Sequence, residues 1–167
     1  MHDALVPSEQ VDDFIILRAI AFTSRVQRIV SRDVLQGEDL TVLEWRLLFS
    51  IARFGSCHLA HITRLTSIDP AHGSRAATAL EKKGYIERRD DPDNRRRKLI
   101  SLTSPGMEVF DRIWPRARQA IKNITDHLSR DELEEVKRLM DLLNAVAGPL
   151  ADAQDRKKTD TREQFAS

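Results

Sequence analysis

Hydrophobic positions recur along most of this chain at spacings of three and four, the period of helices packed on one side. The first run, Val11, Ile15, Phe22, Val26 and Ile29, predicts a helix that Ser8 can cap and that stops near Gln36-Gly37. Thr41-Val42-Leu43-Glu44 has capping-box spacing, in which hydroxyl and carboxylate satisfy two orphan backbone N–H groups reciprocally. It opens a second helix through Trp45, Leu48, Phe49 and Ala52, ending at Gly55. A short helix follows from about His58 to Leu65. Asp69-Pro70 starts another, with Asp as N-cap and Pro at the first helical position, where its missing N–H costs nothing. That helix runs to Lys83 and stops at Gly84. Residues 85–89, 90–94 and 95–102 then read as strand, turn and strand.

The helical period returns with Met107, Phe110, Trp114, Ala117, Ile121, Ile124 and Leu128, interrupted by Pro115, which predicts a kink. Ser129 to Glu132 forms a second capping box, with Leu128 and Leu133 placed as a hydrophobic staple. The last run is Leu133, Val136, Met140, Leu143, Ala147 and Leu150. Leu139, Leu142 and Val146 add a second apolar edge, more than one partner helix can cover, which predicts a dimer. The polar residues 151–167 are expected to fray. The fold class expected is mainly α: a winged helix-turn-helix with a β-hairpin wing, flanked by N- and C-terminal dimerisation helices. Its parts are residues 1–39 (dimerisation helix and linker), 40–104 (winged helix-turn-helix), 105–150 (dimerisation helices) and the tail.

Composition agrees with a helical protein: aromatic residues are 5% of the chain and Gly and Pro number six each, against both a many-turned β-sandwich and disorder. One cysteine excludes an internal disulfide framework. The acidic first twenty residues do not resemble a signal peptide, and no run approaches the ~20 apolar residues of a membrane helix, so a soluble cytoplasmic protein is expected. The net charge of +1 is uninformative until it is mapped. Between Arg53 and Lys98 stand eleven Lys or Arg against six Asp or Glu, so a basic middle is flanked by acidic ends. That layout suits a nucleic-acid module; the plainer alternative is a solvated charged face.

Several strings decide between these. They are Ile62-Thr63-Arg64-Leu65-Thr66-Ser67-Ile68-Asp69, Ser74-Arg75, the run from Leu80 to Arg89, Asp91-Pro92-Asp93-Asn94-Arg95-Arg96, and Leu102-Thr103 with Gly106. In this order and spacing, residues 40–106 resemble the winged helix-turn-helix of the MarR (multiple-antibiotic-resistance regulator) family, and the flanking helices extend the resemblance to about Leu150. It implies a dimeric transcriptional regulator, often a repressor released by a small ligand.

The residues themselves are compatible with that. Gly73, Ala76, Ala77 and Leu80 share an inward stripe, while Pro70, Ala71, Ser74, Arg75 and Thr78, with His72 at the edge, form a face that would fit a major groove. Arg75 and His72 could read base edges; Ser74 and Thr78 suit phosphates or thymine methyls. The resemblance places Arg96 in the minor groove, with Arg95, Arg97 and Lys98 holding phosphates and Arg88 and Arg89 on the partner strand. Asn94 stands where the family usually has the aspartate that orients this arginine, so either Asn94 or Asp93 takes that role. Gly73 replaces a branched apolar residue, implying a thin contact, and Ser67 replaces a turn glycine.

The expected partners are an operator in double-stranded DNA, a second copy of the chain through Val11, Ile15, Leu133, Val136, Leu139, Met140, Leu143 and Val146, and an effector. The resemblance implies an effector pocket that here would include Arg18, Phe22, Arg25, Trp45, Phe49 and Arg53, suited to an aromatic carboxylate or another apolar anion. The alternative for Trp45 and Phe49 is plain core. His58 and His61 could ligate a metal with His72 or Asp69, although surface or cap roles are commoner. Cys57 could be a low-pKa thiol at a helix start or a small buried residue. No catalytic spacing is present, so neither an enzyme nor a cofactor or metal site is expected. The rival function is a winged-helix dimer that binds a protein rather than DNA.

Overall fold

The structure, a computed structural model, describes residues 15–164, and the side chains of 15–151. Ser8 and Val11 lie outside the described residues. The elements are α1 (Ile15–Ile29) with a π-helical turn (Val30–Val34), α2 (Val42–Phe54), β1 (Cys57–His58), α3 (Leu59–Thr66), α4 (Pro70–Lys82), β2 (Ile86–Asp90), β3 (Lys98–Leu102), α5 (Ser104–Thr125) and α6 (Arg130–Gln164). They divide into two compact units, one up to Ile121 and one from Lys122.

In the first unit, Leu47, Leu48 and Ile51 of α2 meet Ile62 of α3, Leu80 of α4, Ile86 and Ile100 of the sheet and Ile113 of α5 in one core. The antiparallel sheet has the order β1-β3-β2, with Ile100 between Cys57 and Arg88. Sequence pattern misses β1, because two residues cannot display an alternation. The returning strand is also shorter than expected: Arg95, Arg96 and Arg97 belong to the wing turn, and β3 begins only at Lys98.

Both ends of α2 form as their residues dictate. Glu44 N–H donates to Thr41 Oγ1 at 3.2 Å, and Thr41 N–H to Glu44 Oε2 at 2.7 Å; Gly55 supplies the positive φ after the last turn. The Glu44 carboxylate is buried and takes Lys83 Nζ at 3.1 Å, which ties the start of α2 to the end of α4. Glu38 does the same for the linker after α1. It accepts from Arg112 and Arg116 of α5, and the Arg112 hydrogen bond above all holds its carboxyl below the usual range.

The α5 stripe differs from the expected one. Gly106, Val109, Ile113 and Ala117 are buried, whereas Met107 and Ile121 are exposed. Phe110, Trp114 and Ala117 of the expected stripe do pack on the core, and the face through which α5 meets the winged helix extends from them to Gly106, Val109 and Ile113. The helix is continuous through Pro115.

Gly73 also corrects its expectation. A Cβ there would stand 2.5 Å from Thr63 Cγ2, so the contact between α3 and α4 is tight rather than thin. Gly73→Ala should lower stability by about 1–3 kcal/mol despite alanine's better helix propensity. Adding Thr63→Ser, which removes the opposing methyl, should recover most of that in urea unfolding. Simple additivity of the two losses would clear this contact of blame. Ser67 adopts φ 51°, the left-handed conformation a glycine would take, so the turn keeps its geometry with strain of about 1 kcal/mol.

In the second unit, Ser129 and Glu132 form the expected capping box, and Glu134–Lys137 and Glu135–Arg138 pair along the polar side of α6. Its backbone is helical past Leu150, to Gln164. The apolar period stops at Leu150, but the following Ala, Gln, Arg, Lys and Glu residues are good helix formers on their own.

Candidate nucleic-acid interface

The candidate surface is built from α4 and the turn between β2 and β3. Asp69 caps α4 by accepting from His72 N–H at 2.9 Å, a hydrogen bond that holds its carboxyl below the usual range. His72 Nδ1 lies 3.0 Å from the same carboxylate, so this ring sits over the cap. Gly73, Ala76, Ala77 and Leu80 face the core as expected. Pro70, Ala71, Ser74 and Arg75 are exposed together, and Thr78 is half-buried, accepting from Arg88 at 3.3 Å.

The wing sorts its basic residues into two sets. Arg88 pairs with Glu81 at 3.4 Å, Arg89 with Glu87 at 2.7 Å and Lys98 with Asp90 at 2.6 Å. Arg95, Arg96 and Arg97 at the tip, and Arg75 on α4, have no ion pair among the described residues. The tip is a closed turn: Asp91 N–H donates to Arg97 O, Asn94 N–H to Asp91 O and Arg97 N–H to Asn94 O. Asn94 Oδ1 accepts from the backbone N–H of Arg96 at 3.1 Å. Asn94 therefore fixes the main chain that carries Arg96, and leaves the guanidinium open.

Other sequence candidates are not brought together. Trp45 is buried and joins Phe49, Phe110 and Trp114 in an aromatic cluster, with Trp45 and Phe110 stacked at 5.7 Å and Phe49 5.5 Å from Trp114. Arg53 lies over Phe54 at 5.5 Å. Phe22 and Arg25 are exposed on α1, which also carries Arg18. Of the six residues of the expected effector pocket, Trp45 is thus buried in the core and Phe49 is half-buried against it.

The three histidines part in the same way. His58 bonds Asp91, His61 meets Phe54 edge-on and His72 takes Asp69. Among the described residues no group of His, Cys, Asp or Glu could hold a metal ion. Burial pushes the Cys57 thiol up, against the reactive reading. The contact sequence reasoning missed is His58 to Asp91, thirty-three residues apart, for which periodicity carries no signal.

Residues 40–98, from the start of α2's cap to the first residue of β3, match the model of the MarR family. The winged helix of this chain is thus similar to those of the MarR family. A Bacillus subtilis relative described as an uncharacterized HTH-type transcriptional regulator, YhbI, is 29% identical over 144 residues, covering 86% of this chain and 90% of that one. A crystal structure of a probable transcriptional regulator from Pseudomonas aeruginosa is similar with a TM-score of 0.69 at 28% identity, over 80% of this chain and 98% of that chain. A MarR family regulator from Streptomyces coelicolor, solved in complex with DNA, shares the fold with a TM-score of 0.71 at 20% identity, over 86% of this chain and 89% of its own. The MarR family and these relatives are transcriptional regulators, not enzymes. Among the described residues no helix is long and apolar enough to cross a membrane.

Proposed function

We propose that this chain regulates transcription as a homodimer that reads a pseudo-palindromic operator in double-stranded DNA. The observation that carries the reading is the set of exposed arginines without ion pairs: Arg75 on α4 and Arg95, Arg96 and Arg97 on the wing, beside neighbours that are neutralised by carboxylates. Cations left in water on a convex helix-and-wing surface are what a phosphate backbone can use without first breaking an ion pair. Pro70, Ala71, Ser74 and Arg75 would enter the major groove, with His72 and Thr78 at its margins. Arg96 would enter the minor groove, with Arg95 and Arg97 on phosphates. Arg88, Arg89 and Lys98 would contribute only by exchanging carboxylate partners for phosphate. That a Streptomyces coelicolor protein of this fold was solved in complex with DNA supports a DNA-binding reading.

A second copy is proposed because each unit leaves apolar side chains in water. On α1 these include Ile15 and Ile20; on α6 they are Val136, Leu139, Met140, Leu143 and Val146, with Leu133 half-buried. Two recognition helices would then meet successive major grooves ~34 Å apart. Repression relieved by a small ligand, which the resemblance implies, belongs to the same proposal. Reporter expression with and without aromatic carboxylates tests it.

The central test is selection of bound sequences from random duplex DNA at two salt concentrations. An inverted repeat, bound with a log–log salt slope of about −0.9 per phosphate contact, is the expected result. No enrichment and no salt dependence would move the function to a protein partner. On the selected duplex, Arg96→Ala should cost about 1–3 kcal/mol in titrations. Unchanged affinity would take this residue out of the groove.

A further inference from the structure

His58 occupies the N-cap position of α3 but makes no side-chain cap hydrogen bond there. Ser, Thr, Asp or Asn is the usual choice at such a position, because a short oxygen can reach the free N–H groups of the first turn. The His58 ring instead reaches out of β1, and its Nε2–H donates to the Asp91 carboxylate at 2.8 Å. The two groups lie on opposite flanks of the central strand. His58 pairs with Leu99 on one side of β3, while Asp91 directly follows Asp90, which pairs with Lys98 on the other. The bond therefore bridges the first residues of β3, where the wing turn re-enters the sheet.

Asp91 is the residue on which that turn is built. Its Oδ1 accepts from Asp93 N–H at 2.9 Å, its carbonyl from Asn94 N–H at 3.1 Å, and its own N–H donates to Arg97 O at 3.1 Å. Its side chain is 11% exposed, so His58 replaces much of the water that a carboxylate would otherwise demand. Arg97 is held by Asp91 directly and by Asn94, and Arg96 by Asn94, which is itself bonded to Asp91; Arg95 lies between these anchored residues.

We propose that His58 is a positioning residue for the DNA-reading wing: through Asp91 it fixes the turn that presents Arg95, Arg96 and Arg97. The proposal rests on the DNA-reading assignment made above. His58 touches no nucleic acid in this role; it sets where the tip arginines are held before DNA arrives, so that less ordering is left to be done on binding.

The test uses the full-length protein with His58→Ala, His58→Gln and Arg96→Ala, read by amide hydrogen exchange without DNA and by affinity for the duplex selected above. In His58→Ala the amides of Arg96 and Arg97 should exchange about tenfold faster, with the α2 amides of Leu47 to Ile51 unchanged. Operator affinity should fall about tenfold alongside. Gln offers an N–H near the place of Nε2, so His58→Gln should restore both readings. Arg96→Ala should weaken binding while leaving wing exchange as it was. Unchanged wing exchange in His58→Ala overturns the proposal. So does faster exchange with full affinity when Arg96→Ala still binds weakly, and so does failure of Gln to restore either reading. If Arg96→Ala binds as well as the parent, the DNA-reading assignment itself is what fails.

Discussion

Gly106→Ala is expected to unfold the winged helix or leave it several kcal/mol less stable, above the usual ~1–3 kcal/mol for overpacking. A Cβ at this position would lie 1.9 Å from the carbonyl oxygen of Tyr85 and 2.8 Å from its carbon. The obstacle is main chain, and it is held from both sides. Tyr85 N–H donates to Leu80 O at 2.9 Å, and Tyr85 O accepts from Thr103 N–H at 3.1 Å. Thr103 Oγ1 in turn accepts from Gly106 N–H at 3.1 Å, so the first turn of α5 is locked to the entry of β2. Relief would require α5 to lift, and with it Val109 and Ile113 from the core. A domain of this size has about 5–15 kcal/mol to lose in total. Urea unfolding followed by circular dichroism reads the outcome; a midpoint close to that of the parent would mean that the backbone yields where the hydrogen bonds say it is held.

Leu143→Asp should turn the proposed dimer into a folded monomer. Leu143 lies on α6 among Val136, Leu139, Met140 and Val146, all exposed, and no α6 side chain described here is buried. A charge in the middle of a face that a second copy covers would have to be desolvated without a partner. Within one copy the substitution costs little, since the position already faces water. Light scattering should therefore show half the parent mass with unchanged helical content. Affinity for an inverted repeat should fall by about 10²–10⁴ as the two heads lose their linkage. Glu134→Gln, on the polar side, is the control that should stay dimeric. A Leu143→Asp protein that remains a dimer would place the interface on another surface.

What could be read from sequence divides according to the range of the interaction. The capping box at Thr41 and Glu44, the Asp69-Pro70 start of α4, the stop at Gly84 and the acidic turn of the wing are set by residues within four positions of one another. Such features survive translation from pattern to structure because hydrogen-bond reach and backbone sterics decide them locally. The inward stripe of α4 was legible for the same reason: Gly73, Ala76, Ala77 and Leu80 are small or apolar and in helical phase.

The phase of α5 was not legible. Met107 and Ile121 fit the helical period as well as Val109 and Ile113 do, and only packing on the winged helix selects among them. Sequence left Trp45 and Phe49 open as pocket or core, and only the structure shows that Phe110 and Trp114, some sixty residues on, pack against them. Charge behaved alike. The sequence counts Arg88, Arg89 and Lys98 with Arg95, Arg96 and Arg97, whereas carboxylates on α4 and β2 neutralise the first three and leave the others in water.

The sequence by itself determined where the helices α2 to α4 begin or end, that a hairpin with an acidic turn follows α4, and that a basic segment follows that turn. These depend on short-range hydrogen bonding, backbone conformation and the period of burial. Only the tertiary structure decided which side of α5 is core, which arginines stay unpaired, why Gly73 and Gly106 must lack a side chain, and that His58 reaches Asp91. Each of those is settled by atoms far apart in the chain, whose separation in space no spacing along it encodes.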